Sequence, residues 1–310
     1  MYSLARFVTL ALALTLTAAA QDSIEWRPDP RAAIIEAKQT ERPVLFYIVD
    51  TSEEAKAFSE AQDRAFDDPR VSTIISSRYV PARLQDSPDT QELLHELGIA
   101  DTVPLSIIVL TPDGHVVQTI LPHDVARAET LASHLAEAFN KYRDTLYAQK
   151  LRPRLTNPAT SPEQLDVALR LVESFAVTQA DHETAGLLKR LDLSEALRKQ
   201  VYASLAALST EEATMALLDA AAKDNSAVEA LKHCTPAAVQ FLLPELRTDD
   251  HERFLIVYEA LTSICEVPHP QPESFWNSAS LQIQHQEIER VKRAAADCLK
   301  QWREDEEPYR

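Results

Sequence analysis

Val103-Pro104-Leu105-Ser106-Ile107-Ile108-Val109-Leu110 leads through Thr111-Pro112-Asp113-Gly114 into His115-Val116-Val117-Gln118-Thr119-Ile120-Leu121. The first octet is apolar except for Ser106 and has the length of a strand, the pattern of a buried one. Pro112-Asp113-Gly114 is turn chemistry, because proline presets φ and glycine tolerates positive φ. His115–Leu121 then reads as a returning strand, so the stretch predicts a strand hairpin.

The flanks extend this into a mixed α/β layout. Val44-Leu45-Phe46-Tyr47-Ile48-Val49 is a second continuous apolar run of strand length. Before it, Asp29–Thr40 reads as a helix with Ala33, Ile34 and Ala37 on one face, stopped by Pro43. After it come a polar helix over about 52–66, a short helix near 69–76, the strand Tyr79–Leu84, and the helix Thr90–Leu97 with Gly98 as its stop. Downstream of the hairpin, Val125 to about Lys150 is a long helix with Leu131, Leu135, Ala138, Phe139 and Tyr142 at helical spacing. The order β-α-β-α-β-β-α predicts a mixed central sheet flanked by helices.

Beyond residue 150 the texture changes. Residues 151–160, with Pro153, Asn157 and Pro158, read as a linker. Residues 161–310 carry no strand signal and predict an all-helical domain: helical periodicity recurs over 162–177, 181–191, 194–209, 211–223, 226–233, 236–246, 250–265 and 279–304. Ser161, Ser194, Thr210 and Thr235 stand at helix starts as caps, with Pro162 and Pro236 at the first helical position. Short helices joined by polar turns predict an array of helical hairpins.

Composition removes several function classes. The 310 residues include only 3 glycines, which excludes glycine-rich phosphate loops. With 48 acids against 31 bases the formal net charge is -17, so nucleic acid is not expected as a partner. Met1–Gln21 has a single charge at Arg6, an apolar run over 7–16 and Ala18-Ala19-Ala20, the layout of a signal peptide (1–20) cleaved after Ala20; an uncleaved anchor is the alternative. No other segment has the length and apolarity of a membrane span, so the mature chain, 21–310, is expected to be exported, periplasmic or secreted.

The first half resembles exported thioredoxin-like proteins. The resemblance covers about residues 24–145. It rests on Ile24-Glu25-Trp26 and Arg42-Pro43-Val44-Leu45-Phe46-Tyr47, on Phe66-Asp67-Asp68-Pro69-Arg70-Val71, and most specifically on Leu97-Gly98-Ile99, Val103-Pro104 and Leu110–Gly114. It implies a thioredoxin-like α/β domain over 21–150. Redox members carry Cys-x-x-Cys where counting back from Phe66 places Ala55 and Phe58, so this active-site position is degenerate. Dithiol exchange needs an attacking thiolate, and no cysteine occurs before Cys234. The resemblance also implies a cis Val103–Pro104 bond. Thr102, Val103 and Pro104 are then either a fold determinant or a retained peptide-binding edge.

In the second half, Pro236–Val239, Leu242–Leu246 and Glu252-Arg253 with Tyr258–Leu261 and Ile264 resemble one HEAT-type helical pair over about 30 residues. The loop 268–276 and the long helix after it would cap the array.

Cys234, Cys265 and Cys298 have neither redox CxxC nor zinc-knuckle spacing. Cys265 ends the stripe Phe254, Val257, Leu261, Ile264, and Cys298 lies on the stripe Leu281, Ile288, Val291, Ala295, Leu299, Trp302. These two face a core, either as a disulfide or, with Cys234, as buried thiols. Nine histidines lack HxxxH or HExxH spacing, so no metal site or cofactor is expected. His123-Asp124 has no accompanying nucleophile motif. The expectation is a non-catalytic, protein-binding or scaffold protein of the cell envelope. The alternatives are a thiol–disulfide oxidoreductase or its accessory using the helical-domain cysteines, and a non-thiol enzyme in an interdomain cleft.

Overall fold

The computed structural model describes residues 24–85, 87–99 and 103–305. The segment 1–20, expected to be a signal peptide, and Thr102 lie outside them. Four strands form one sheet in the order β2-β1-β3-β4: β1 Val44–Val49, β2 Val80–Gln85, β3 Ile107–Leu110 and β4 Val116–Ile120. β1 runs parallel to β2 and antiparallel to β3, and β3 is antiparallel to β4, so the sheet is mixed. A bulge shifts register between Val109 and Leu110, since Gln118 opposes Val109 and Val116 opposes Leu110. On the outer edge of β2, Arg27 N–H donates to Pro81 O at 2.9 Å and Arg83 N–H to Arg27 O at 3.3 Å.

Alternation along the strands divides two cores. Val44, Phe46 and Ile48 of β1 face Ala33 and Ala37 of α1 (Pro30–Thr40) and Leu94 of α4 (Pro88–Glu96). Leu45 and Tyr47 face the other way, toward Phe66 of α2 (Lys56–Phe66), Val71 and Ile75 of α3 (Pro69–Arg78) and Leu135 and Phe139 of α6 (Ala128–Leu146). Short side chains start the helices: Asp29 accepts from Arg31 N–H at 2.8 Å and Asp68 from Arg70 N–H at 2.9 Å, each before a proline at the first turn. Gly98 stops α4 with φ 71°, a conformation open to glycine. Pro122–Val125 is a separate short turn of helix, α5, before α6.

The expected linker over 151–160 is a correction. Helix α6 continues through a wider turn at Tyr147–Leu151 into α7, Arg152–Thr156, and the irregular part is confined to 157–161. The reason is burial. Leu151 and Leu155 sit in the same core as the sheet, and the ladder widens at Tyr147–Leu151 just ahead of Pro153, which has no N–H to give it.

From there the chain is helical: α8 Pro162–Phe175, α9 Asp181–Leu187, α10 Glu195–Leu208, α11 Glu211–Ala221, α12 Asn225–Lys232, α13 Val239–Leu242, α14 His251–Ile264, α15 Glu273–Ser278 and α16 Leu281–Asp305. Ser161, Ser194 and Thr210 cap α8, α10 and α11 through N–H bonds of 3.2–3.3 Å. The helix expected over 236–246 is instead two 3-10 turns around α13, because Pro244 has no N–H for an α-ladder. The core on the α6 side of the sheet runs on through α8, α9 and α10 to Ala213, and a second core spans Tyr202 to Ala295. Among the described residues no helix is long and apolar enough to cross a membrane.

Candidate functional site

β1 leaves the sheet at Val49, and the segment 50–58 crosses the end of the sheet to start α2. Asp50 Oδ1 accepts from Ser52 N–H at 2.8 Å, and Ser52 Oγ from Ala55 N–H at 3.3 Å, so two polar side chains fold the crossing. Ala55 is the residue that caps α2, without a side-chain cap bond, and is partly buried against the core. Phe58 lies in the first turn and is 38% exposed. Thr51, Ser52, Glu53 and Glu54 are exposed around it. The two positions matched to a dithiol therefore do occupy a helix start, where a thiolate would be favoured by the helix dipole, but carry a methyl group and a benzyl ring.

The Val103–Pro104 segment reaches the same end of the sheet. Two expectations are corrected here. Val103–Ser106 is not strand, and the Val103–Pro104 peptide is trans, since the described residues include no cis bond. Ser106 N–H donates to Val103 O at 3.2 Å, and Leu105 has φ 64°. That is a turn with proline at its second position and a left-handed third residue, a geometry built on a trans bond. Ser106 Oγ also donates to Val103 O at 2.6 Å. Leu105 N–H donates to Ile48 O at 2.7 Å and Ile48 N–H to Ser106 O at 3.1 Å, so the turn is pinned to β1. Val103 stands out from it, 47% exposed.

A buried amide ties these pieces together. Gln62 of α2 has no exposed surface. Its Oε1 accepts from Tyr47 Oη at 2.6 Å, and its Nε2 donates to Leu105 O at 2.9 Å and Pro122 O at 3.1 Å. One side chain thus links β1, α2, the Val103–Ser106 turn and α5. Burial pushes the Tyr47 hydroxyl up to about 12, so it stays a neutral donor. Nearby, Arg83 lies over the rings of Trp26 (4.8 Å), Tyr47 (5.6 Å) and Phe66 (5.9 Å) and pairs with Asp63 at 2.9 Å. Neither Gln62 nor this stack was legible beforehand. A lone Gln on a polar helix carries no burial signal, and Arg83 meets Trp26 only through the edge contact of β2.

The remaining sites separate. Cys234, Cys265 and Cys298 are free thiols in the helical part, remote in sequence from Ala55 and Phe58. Burial pushes the Cys234 thiol up to about 12 and raises that of Cys265 as well, so both are held protonated. His123 Nε2 lies 3.4 Å from Asp124, and Asp124 is 3.7 Å from His134 Nε2. Among the described residues no group of three or more His, Cys, Asp or Glu side chains is placed to hold a metal ion. A groove of about 830 Å³ opens between α9, α10 and α11, lined by Leu188, Tyr202, Met215 and Ala216 together with Lys189, Arg198 and Lys223. Its acids are engaged, Glu212 with His182 at 2.6 Å, Asp219 with Arg253 at 2.9 Å and Asp224 with the Tyr202 hydroxyl at 3.1 Å. The groove belongs to the helical array and not to a cleft between the halves.

No family model matches the chain, and no curated protein matches it. Among solved structures, a disulphide isomerase from Xylella fastidiosa Temecula1 is similar at 19% identity, over 34% of this chain and 86% of that one, with a TM-score of 0.28. Likeness at that level does not carry shared chemistry.

Proposed function

We propose that the chain is an exported, thioredoxin-like protein without redox chemistry that works by binding another protein in the cell envelope, with the HEAT-like helices as its scaffold. The observation that carries this reading is the end of the sheet, where Ala55 and an exposed Phe58 stand at the start of α2 in place of two sulfurs. What that end offers is contact surface. Phe58 and Val103 present apolar side chains, and Asp50, Glu53 and Glu54 place negative charge on the segment just before Phe58. A partner segment with apolar and basic residues fits such a surface. The trans turn at Val103–Pro104 is a rigid wall of it, held to β1 and α2 by the bonds of Leu105 and Gln62.

Crosslinking and affinity capture from envelope extract tests the reading, with the full chain as bait beside a variant carrying Phe58→Glu and Val103→Asp. Both positions are exposed, so the variant is expected to keep its native circular dichroism. A partner held by the native chain and lost by the variant is the expected result. The same partners on both baits, or none on either, overturns it.

A further inference from the structure

Helix α14 ends at Cys265, whose N–H donates to Leu261 O at 3.0 Å. The next residue, Glu266, is left-handed at φ 48°, and Val267 N–H returns to Thr262 O at 2.8 Å with its side chain buried. This closed C-terminal turn fixes where the Cys265 side chain points. On α16, Val291, Ala295, Cys298 and Trp302 recur at helical spacing, and Val291, Ala295 and Trp302 are buried. Cys298 therefore lies on the face that packs against α14, where Cys265 and Leu299 join one core. Cys265 and Cys298 therefore meet at the same seam between the end of α14 and α16, close enough that Cys298 bears on the Cys265 thiol. Both are half-buried, so a small reagent can reach the pair. Cys234 is buried elsewhere, beside Ser209.

We propose that Cys265 and Cys298 are the two halves of a disulfide, formed by exchange with a small-molecule disulfide, that staples α16 to the end of α14. One cysteine thiolate attacks the small disulfide, whose S–S bond breaks and releases one small thiol. The second cysteine thiolate attacks the resulting mixed disulfide, forms the Cys265–Cys298 bond and expels the second small thiol. The cysteines give up two electrons and two protons, and the small disulfide leaves as two thiols. The staple closes a loop that contains the 268–280 segment and α15, so the last helix cannot detach while it is intact. Burial, which holds the Cys265 thiol protonated, makes the exchange slow in the folded chain. The inference does not depend on the binding role.

The test refolds the full chain in a mixture of reduced and oxidised glutathione and counts free thiols in denaturant, with peptide mass mapping. The folded chain is also treated with diamide. The expected result is a fall from three thiols to one, with the Cys265 peptide joined to the Cys298 peptide and Cys234 free. Cys298→Ser abolishes the link. A natively folded chain that keeps three thiols in both arms, that carries glutathione separately on the two cysteines, or that links Cys234 overturns the proposal.

Discussion

Gln62 shows how much of the sheet end rests on one side chain. Its amide serves Tyr47 Oη, Leu105 O and Pro122 O in a fully buried place. Replacement by leucine keeps the volume and strands all three partners, so Gln62→Leu is expected to cost about 3 kcal/mol, read as a lower urea midpoint at unchanged slope. Leu105 sets two effects against each other. Glycine would relieve its left-handed backbone by roughly 1–2 kcal/mol, yet its buried side chain contributes more, since Leu→Ala in a core costs about 2–5 kcal/mol. Leu105→Gly is therefore expected to lower the unfolding free energy by about 2 kcal/mol, and a stabilised variant would contradict the packing described for the turn. The apolar octet from Val103 suggested a full strand because Leu105 is as apolar as a strand residue. Its positive φ is imposed by the chain's return to Ile48, which no local pattern displays.

Among the elements, the clearest device is the latch that holds α16. Tyr258 Oη of α14 donates to Glu287 Oε1 at 2.7 Å and accepts from Gln271 N–H at 2.6 Å. Arg290 donates to Glu287 at 2.6 Å and 2.8 Å and to Pro268 O at 2.9 Å. The Arg290 guanidinium, and after it the Tyr258 hydroxyl, hold the Glu287 carboxyl below its ordinary range. A depressed carboxylate contributes its stability above the unfolded value, near pH 4.3, and loses it as pH falls through the lower folded value. Thermal unfolding measured from pH 7 down to pH 2 should show this loss in the C-terminal helices. Glu287→Gln should be less stable by about 1–2 kcal/mol at pH 7 and show a flatter acid dependence. Equal acid slopes for both chains would contradict the role of the latch. The helices themselves were readable from caps and periodicity at Ser161, Ser194 and Thr210, while Thr235, also expected as a cap, makes no side-chain cap bond. The latch was not, because Tyr258 and Glu287 are 29 residues apart and meet only through packing.

At the scale of the whole molecule, one core joins the sheet to the first helices of the array. Phe175 of α8 packs edge-on against Phe139 (5.9 Å) and Tyr142 (6.2 Å) of α6, and Arg143 donates to the carbonyls of Phe175 and Ala176. The turn-rich stretch around Pro153 and Pro158 suggested a linker, whereas Leu151 and Leu155 carry the core across it. Sequence periodicity shows that a helix has an apolar face but not which neighbour covers it. A shared core predicts shared stability: amides of β1 and α8 should exchange hydrogen with the same opening free energy, and Phe175→Ala, at a cost of about 3 kcal/mol, should lower both together. Protection lost in α8 alone would show that the sheet unit stands by itself.

The claim on which the functional account turns is that the chain works by binding and does not catalyse disulfide exchange. Its most direct test is the rate at which the full chain reduces a protein disulfide in the presence of dithiothreitol, measured beside a variant with Cys234, Cys265 and Cys298 all replaced by serine. The account predicts that both rates equal the uncatalysed background. Turnover by the native chain that disappears in the serine variant would contradict it and place the chemistry in the helical array.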